Sequence, residues 1–176
     1  MLIAEISALG AAFCWAITGL ISIHPIRKLG PFAFNRIRMT IVFFLLAVIS
    51  LITGSWKELS VSSFQVLMFS GIIGIFLGDT ALFASLQRLG PSRSAVIFAL
   101  NAPMTVILGW FLLEEYLSRM ILIGCGLVFV GVLIAIVGRQ NYLEPLSIDS
   151  TQGSVGFGII MGILAAFGQA TGTIIA

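Results

Sequence analysis

Apolar residues along this chain gather into six runs, at roughly residues 3–22, 32–53, 65–87, 93–113, 119–138 and 154–176. Each reaches the about 20 residues that a helix needs to cross a hydrocarbon core. The pattern predicts five complete membrane-crossing helices and a sixth that runs to the chain end. The polar stretches between them carry helix-stopping chemistry. "HPIRKLGP" predicts a break at Pro25 and Gly30 and a restart on Pro31, a residue suited to a first helical turn. "RLGPSRS" offers Gly90 as a C-terminal cap, Pro91 against continuation, and Ser92 or Ser94 as the next N-cap. "TGSWKELSVSS" holds Trp56 and Lys57, an aromatic ring and a cation of the kind that anchor at the interface. The longest connector, "GRQNYLEPLSIDSTQG", is polar throughout and predicts the join between two halves.

Composition identifies the solvent. Of 176 residues 59% are apolar, 9% are charged and 14 are Phe, a balance that no water-soluble domain carries on its surface. The fold class expected is an all-α integral membrane protein. Its first run is retained rather than cleaved as a signal peptide, because Glu5 stands where a basic segment belongs and the positive charges follow the run. Nine Lys and Arg against seven Asp and Glu give no reason to expect nucleic acid as a partner. Cys14 and Cys125 both fall inside apolar runs, where each acts as a small hydrophobe and neither a disulfide nor a metal site is indicated.

What matters about the charges is their position. Connectors one, three and five, with the helix ends beside them, hold Arg27, Lys28, Arg36, Arg38, Arg88, Arg93 and Arg139, whereas the other face holds Lys57 and Arg119. The positive-inside rule then places the N-terminus outside a plasma membrane.

Polar residues within the spans each need a reason, since a central charge costs about 2.5 to 3.5 kcal/mol on insertion scales. Asp79, between "IFLG" and "TALF", is the clearest, as a cation or proton site, a partner for an Arg, or a bond to a neighbouring helix. Glu5 lies close enough to an end to reach the interface. Arg36 and Arg38 begin the second span, where a long side chain snorkels or, at a cavity mouth, attracts anionic metabolites. Trp15 and Thr18 share a face of the first span and together can line a pathway or simply pack. Pro103 cannot donate to the carbonyl of Ala99, which predicts a bent fourth helix facing an interior cavity with Asn101 beside the break. Glu114 and Glu115 mark its far end.

Small residues predict where helices approach. Gly71, Gly74, Gly78, Ala81 and Ser85 draw one stripe down the third span, and Gly124, Gly131 and Gly138 another down the fifth. Laying "AAFGQATGTII" (165–175) on "AAFCWAITGLI" (11–21) matches Ala11, Ala12, Phe13, Ala16 and Ile21 with Ala165, Ala166, Phe167, Ala170 and Ile175 without a gap. With five spans from the first of these helices to the next, the two halves are inverted in the membrane, as in many secondary transporters.

In order along the chain, "AAFCWA", an Arg early in helix two ("PFAFNRIR", with Arg38 at the family position), a Gly-rich third helix leading into "LQRLGPSRSAVI", a Pro-bearing fourth helix and a "LEEYLS" ending resemble the EamA-type members of the drug/metabolite transporter superfamily. The usual Gly-Glu at the end of helix four stands here as Glu114-Glu115, so that Glu115 holds the Glu position and Glu114 replaces the glycine. The resemblance implies one complete five-helix EamA repeat over residues 1–138, a linker over 139–153, and the first helix of a truncated second repeat over 154–176.

Enzymatic readings find little support. The chain has one histidine, His24, in the first connector, and no nucleophile elbow, zinc-protease pair or phosphate-cradling loop. No cofactor is expected, and without an ATP motif transport is gradient-driven or facilitative. The leading expectation is a carrier that moves a small metabolite or drug-like solute by alternating access, with the lipid bilayer, the solute and a missing second repeat or second copy as partners. Alone, the 176 residues are expected to be half a machine. The alternative is a non-transporting membrane subunit or scaffold that packs a partner through its Gly-rich helices.

Overall fold

The computed structural model describes residues 2–54, 60–138 and 154–176, which are helix apart from short connectors and ends. Trp56, Lys57, Arg139, Tyr142 and the rest of the 139–153 linker lie outside the described residues. In chain order the elements are α1 (Leu2–Leu29), α2 (Pro31–Thr53), α3 (Val61–Ser70), a π-helical segment (Gly71–Leu77), α4 (Gly78–Phe98, two helical segments that meet at a non-helical Gly90), α5 (Asn101–Leu113), α6 (Arg119–Gly138) and α7 (Val155–Ile175). Among the described residues no strand occurs. Four stretches are long and apolar enough to cross a membrane, Ala4–Leu29, Pro31–Thr53, Val61–Phe98 and Val155–Ile175, and two shorter apolar helices, Asn101–Leu113 and Arg119–Ala135, accompany them.

The chain reverses direction at two corners of the same composition, Leu29-Gly30-Pro31 and Leu89-Gly90-Pro91. Gly30 has φ 82° and ψ 158°, and Gly90 has φ 77° and ψ 172°. Only glycine takes that φ without strain, and the following proline both holds the glycine's ψ extended and starts the next helix. Pro25, expected to break α1, does not: the helix continues to Leu29 and includes His24. One missing donor is a small loss where the turns on either side are secured by Ile23 and Ile26, both buried. Ser94, an expected N-cap, is instead buried, its hydroxyl 3.0 Å from that of Ser85 across the second corner.

The fourth span is interrupted where proline predicts. Helix is interrupted at Ala99 and Leu100, and the carbonyl of Ala99, which Pro103 cannot reach, accepts a bond from the Ala102 N–H at 3.4 Å. A tighter turn thus satisfies the acceptor, and Pro103 itself is fully buried.

The core lies between α4 and α7. Gly158, Gly162, Ala165, Ala166, Gly168, Ala170 and Gly172 are the buried face of α7. Against them stand Gly74, Gly78 and Ser85: a Cβ on Gly74 would lie 3.1 Å from Gly172 Cα, and one on Gly162 3.0 Å from Ser85 Oγ. Backbones approach at small residues, the packing device of helices in lipid, where no hydrophobic force drives association. Ser70 adds a bond, its hydroxyl donating to the carbonyl of Gly172 at 2.7 Å. At the other end of the interface the Arg88 guanidinium lies 4.5 Å from the centre of the Phe157 ring. Large apolar side chains such as Phe43, Phe44, Ile52, Phe111 and Leu127 point outward, as lipid permits.

The expected stripe of the third span is therefore used, with one correction. A Cβ on Gly71 would meet nothing within 4 Å. The residues Gly71–Leu77 form a π-helix, whose wider turn of i→i+5 bonds rotates Gly71 out of the line that a 3/4 spacing draws. The stripe of the fifth span is a larger correction. Gly124 and Gly131 are exposed with nothing within 4 Å, and α6 meets the bundle instead through Val132, with Val128 beside it. Gly138 closes α6, and the expected packing there falls outside the described side chains.

Candidate functional site

A cluster of polar side chains forms where α2 crosses the end of the π-helical segment and the start of α4. Asn35 and Arg38, one turn apart on α2, both face it. The Asn35 side chain is completely buried and its amide donates to the Phe76 carbonyl at 3.1 Å and to Thr80 Oγ1 at 2.9 Å. Thr80 donates in turn to the same carbonyl at 2.6 Å. Asn35 Oδ1 is buried and has no hydrogen-bond partner among the described residues. One turn along, Arg38 pairs with Asp79 through Nη2 and Oδ2. Its guanidinium carbon lies 5.0 Å from the centre of the Phe83 ring, which is packed edge-on by Phe34 at 5.0 Å.

Two cavities flank this cluster and share one side chain, Trp15. One, of about 460 Å³, is lined by Trp15, Arg38, Phe43, Ile75, Asp79 and Gln169 among others. The second, of about 540 Å³, is lined by Trp15, Gly19, Leu82, Ser94, Phe98 and Asn101 among others. Trp15 stacks on Phe98 with ring centres 5.3 Å apart and planes 13° from parallel, and so stands between the two spaces. Both volumes suit a small organic molecule.

Of the residues marked from sequence, Trp15, Arg38 and Asp79 converge on the first cavity and Asn101 opens onto the second, with Pro103 buried two residues further along. Thr18 is exposed, its hydroxyl bonded to the Cys14 carbonyl at 2.8 Å, and it lines neither space. Glu5, His24 and Arg36 are also exposed. At the far end, Glu114 has φ 54° and ψ 30°, the left-handed conformation of a helix-terminating glycine. Glu115 folds back toward Gly109, where an added Cβ would lie 3.1 Å from its Oε2.

Two site residues escaped the sequence reading. Asn35 stands three places before Arg38 in "PFAFNRIR", a polar residue in an apolar span that passed unmarked. Gln169 has a more specific signal. In the register that lays 165–175 on 11–21, Gln169 falls on Trp15, and these two residues of matched helices line the same cavity.

A buried ion pair is poor evidence of stability, because desolvating two charges offsets most of their attraction.

The model of the EamA-like transporter family matches residues 2–137. The chain belongs to that family. This EamA-like chain is also similar to "Uncharacterized transporter YyaM" of Bacillus subtilis, 34% identical over 80 residues, 45% of this chain and 26% of that one. An "Uncharacterized transporter" of Archaeoglobus fulgidus is 32% identical over 134 residues, 72% of this chain and 46% of the relative. The matched stretches thus span less than half the length of either relative. No solved structure matches the chain. With its apolar helices, the EamA-like chain is a multi-pass membrane protein.

Proposed function

We propose that this chain forms part of a secondary transporter that moves a small metabolite or drug-like solute by alternating access, with Trp15, Arg38, Asp79 and Gln169 at its substrate site. In this reading residues 1–138 are one EamA repeat and 154–176 the first helix of an inverted second one. The observation that carries it is the meeting of Trp15 and Gln169, equivalent positions of two matched helices, beside a charge pair within the helices. Sites in inverted-repeat carriers lie where the repeats meet, near the midplane. The family supports a transport role over an enzymatic one, and drive comes from a gradient.

Solute flux into proteoliposomes that hold the complete carrier of which this chain forms part tests the reading. Asp79→Asn is nearly isosteric and cheaper to bury, so it is expected to abolish flux while insertion and helical content stay unchanged. Unaltered flux in that variant would remove Asp79 from the site. A second reading, a scaffold that docks a partner, draws on the uncovered Gly124 and Gly131 of α6; it expects full partner association and no flux. Orientation in a plasma membrane with the N-terminus outside is inferred from the distribution of Arg and Lys. It predicts that a cysteine placed at the fully exposed Tyr116, in a background lacking Cys14 and Cys125, reacts with an impermeant reagent on intact cells. Protection of that position until the cells are opened would reverse the orientation.

A further inference from the structure

Resting on that reading, we propose that the substrate is a small organic monoanion with an apolar body, and that its carboxylate displaces Asp79 from Arg38 while Asp79 takes up a proton.

The two members of the pair are unequally presented. The Arg38 side chain is 28% exposed and that of Asp79 8%. A solute in the cavity therefore meets the guanidinium first. Arg38 holds Asp79 through Nη2, and among the described residues neither Nη1 nor the buried Nε has a hydrogen-bond partner. A guanidinium offers two parallel donors to a carboxylate, a geometry that this single-nitrogen contact with Asp79 leaves unfilled. The rest of the lining selects the body that carries the carboxylate. Met39, Val42, Phe43, Leu46 and Ile75 are apolar, and Trp15 adds an aromatic face. Gln169 is the neutral polar group positioned to bond a substituent on the body.

Charge balance supplies the coupling. Among the described residues, the charged or titratable ones lining this cavity are Arg38 from α2 and Asp79 itself. There α1 presents Trp15, α7 presents Gln169 and the π-helical segment presents Ile75, none of which titrates. From α6, Val132 packs near α4 and no titratable side chain reaches the cavity. The resting site carries no net charge. When an anion takes the guanidinium, an ionised Asp79 would leave one negative charge uncompensated among apolar side chains. A proton from the water of the cavity, added to the Asp79 carboxylate, restores neutrality, so that one anion and one proton enter together and leave together.

The test uses the 176-residue chain in lipid nanodiscs and three probes of one shape: 2-naphthoate, neutral 2-naphthamide and cationic 2-naphthylmethylammonium. Titration calorimetry in buffers of different ionisation enthalpy counts protons taken up, with protein-free discs as the control for partition into lipid. The expected result is saturable naphthoate binding with uptake of about one proton, and affinity at least tenfold weaker for the amide and the ammonium. Arg38→Gln is expected to lose at least tenfold in naphthoate affinity. Asp79→Asn is expected to bind naphthoate at least as tightly as the native chain with no proton uptake. Arg38→Lys, which keeps the charge but loses the two parallel donors, guards against a folding defect in the glutamine variant and is expected to bind naphthoate more tightly than Arg38→Gln and more weakly than the native chain. Tighter binding of the ammonium, proton uptake that persists in Asp79→Asn, or naphthoate binding no greater than in protein-free discs would each overturn the proposal. Tighter binding of zwitterionic phenylalanine than of naphthoate, without proton uptake, would overturn it too. Naphthoate binding without flux of any solute would remove the transport reading and leave this assignment standing, whereas ammonium flux without naphthoate binding would do the reverse.

Discussion

The helices α1 and α7 share the series Ala-Ala-Phe-x-x-Ala, yet they are buried in opposite degree. Ala165, Ala166 and Ala170 are 0% exposed, whereas Ala11, Ala12 and Ala16 are all exposed, the last two along the wall of the second cavity, and Phe13 is 68% exposed. The difference is made by the partner. In α7 the series continues into Gly168 and Gly172, which meet Gly74 and Gly78 backbone to backbone. In α1 the corresponding half has no such stripe opposite it, and the helix is held near its C-terminus through Ser22, Ile23 and Ile26 and by the Trp15–Phe98 stack. A pattern of small residues is a capacity for close approach, and becomes an interface only against a matching pattern.

Three substitutions sharpen the contrast. The largest effect is expected from Gly172→Ala, whose Cβ would lie 2.7 Å from Gly74 Cα and 3.0 Å from its N. Backbone atoms cannot turn aside, so the variant is expected to lose about 2 kcal/mol by overpacking, read as an earlier midpoint when helical signal is followed through SDS titration. An unchanged midpoint would mean that α7 does not need the close approach. Next comes Glu114→Gly, expected to raise the midpoint by about 1 kcal/mol, because glycine adopts the φ of 54° found there without a Cβ penalty. A fall would show that Glu114 makes a contact worth more than its strain. The smallest effect is expected from Gly10→Ala in the open half of α1, where a Cβ meets nothing within 4 Å. Helix propensity alone predicts a gain of about 0.5 kcal/mol, and a clear loss would reveal a partner on this face.

Much of the architecture was legible because lipid makes a simple demand: a run of apolar residues long enough to cross. Gly30 and Gly90 were readable as corners because Leu-Gly-Pro leaves the chain few other conformations. Pro25 misled, since a proline removes one hydrogen bond and the surrounding helix outweighs it. The π-helical segment could not be read from "GIIGIFL", whose residues suit an α-helix equally well. At the site, Arg38 and Asp79 were each marked by the cost of charge in a membrane, but their pairing spans 41 residues of sequence and is a property of how α2 crosses α4. Gln169 was overlooked for a different reason. The comparison of 11–21 with 165–175 drew attention to identical positions, while the informative one was the mismatch of Trp15 and Gln169.

The two Leu-Gly-Pro corners also limit how this bundle can be set in motion. A joint of one residue, with the next φ locked by a proline ring and its own ψ confined by that ring, has no slack to pay out. Each helical hairpin so joined acts as a stiff bracket, its arms unable to slide lengthwise past one another. Any rearrangement of the helices has to be absorbed away from the corners, and the interrupted turn at Ala99–Leu100 and the wide turns of Gly71–Leu77 are the places where regular α-helical bonding already gives way. Mechanical freedom is thus displaced from the connectors into the middle of the helices, next to the side chains that line the two cavities.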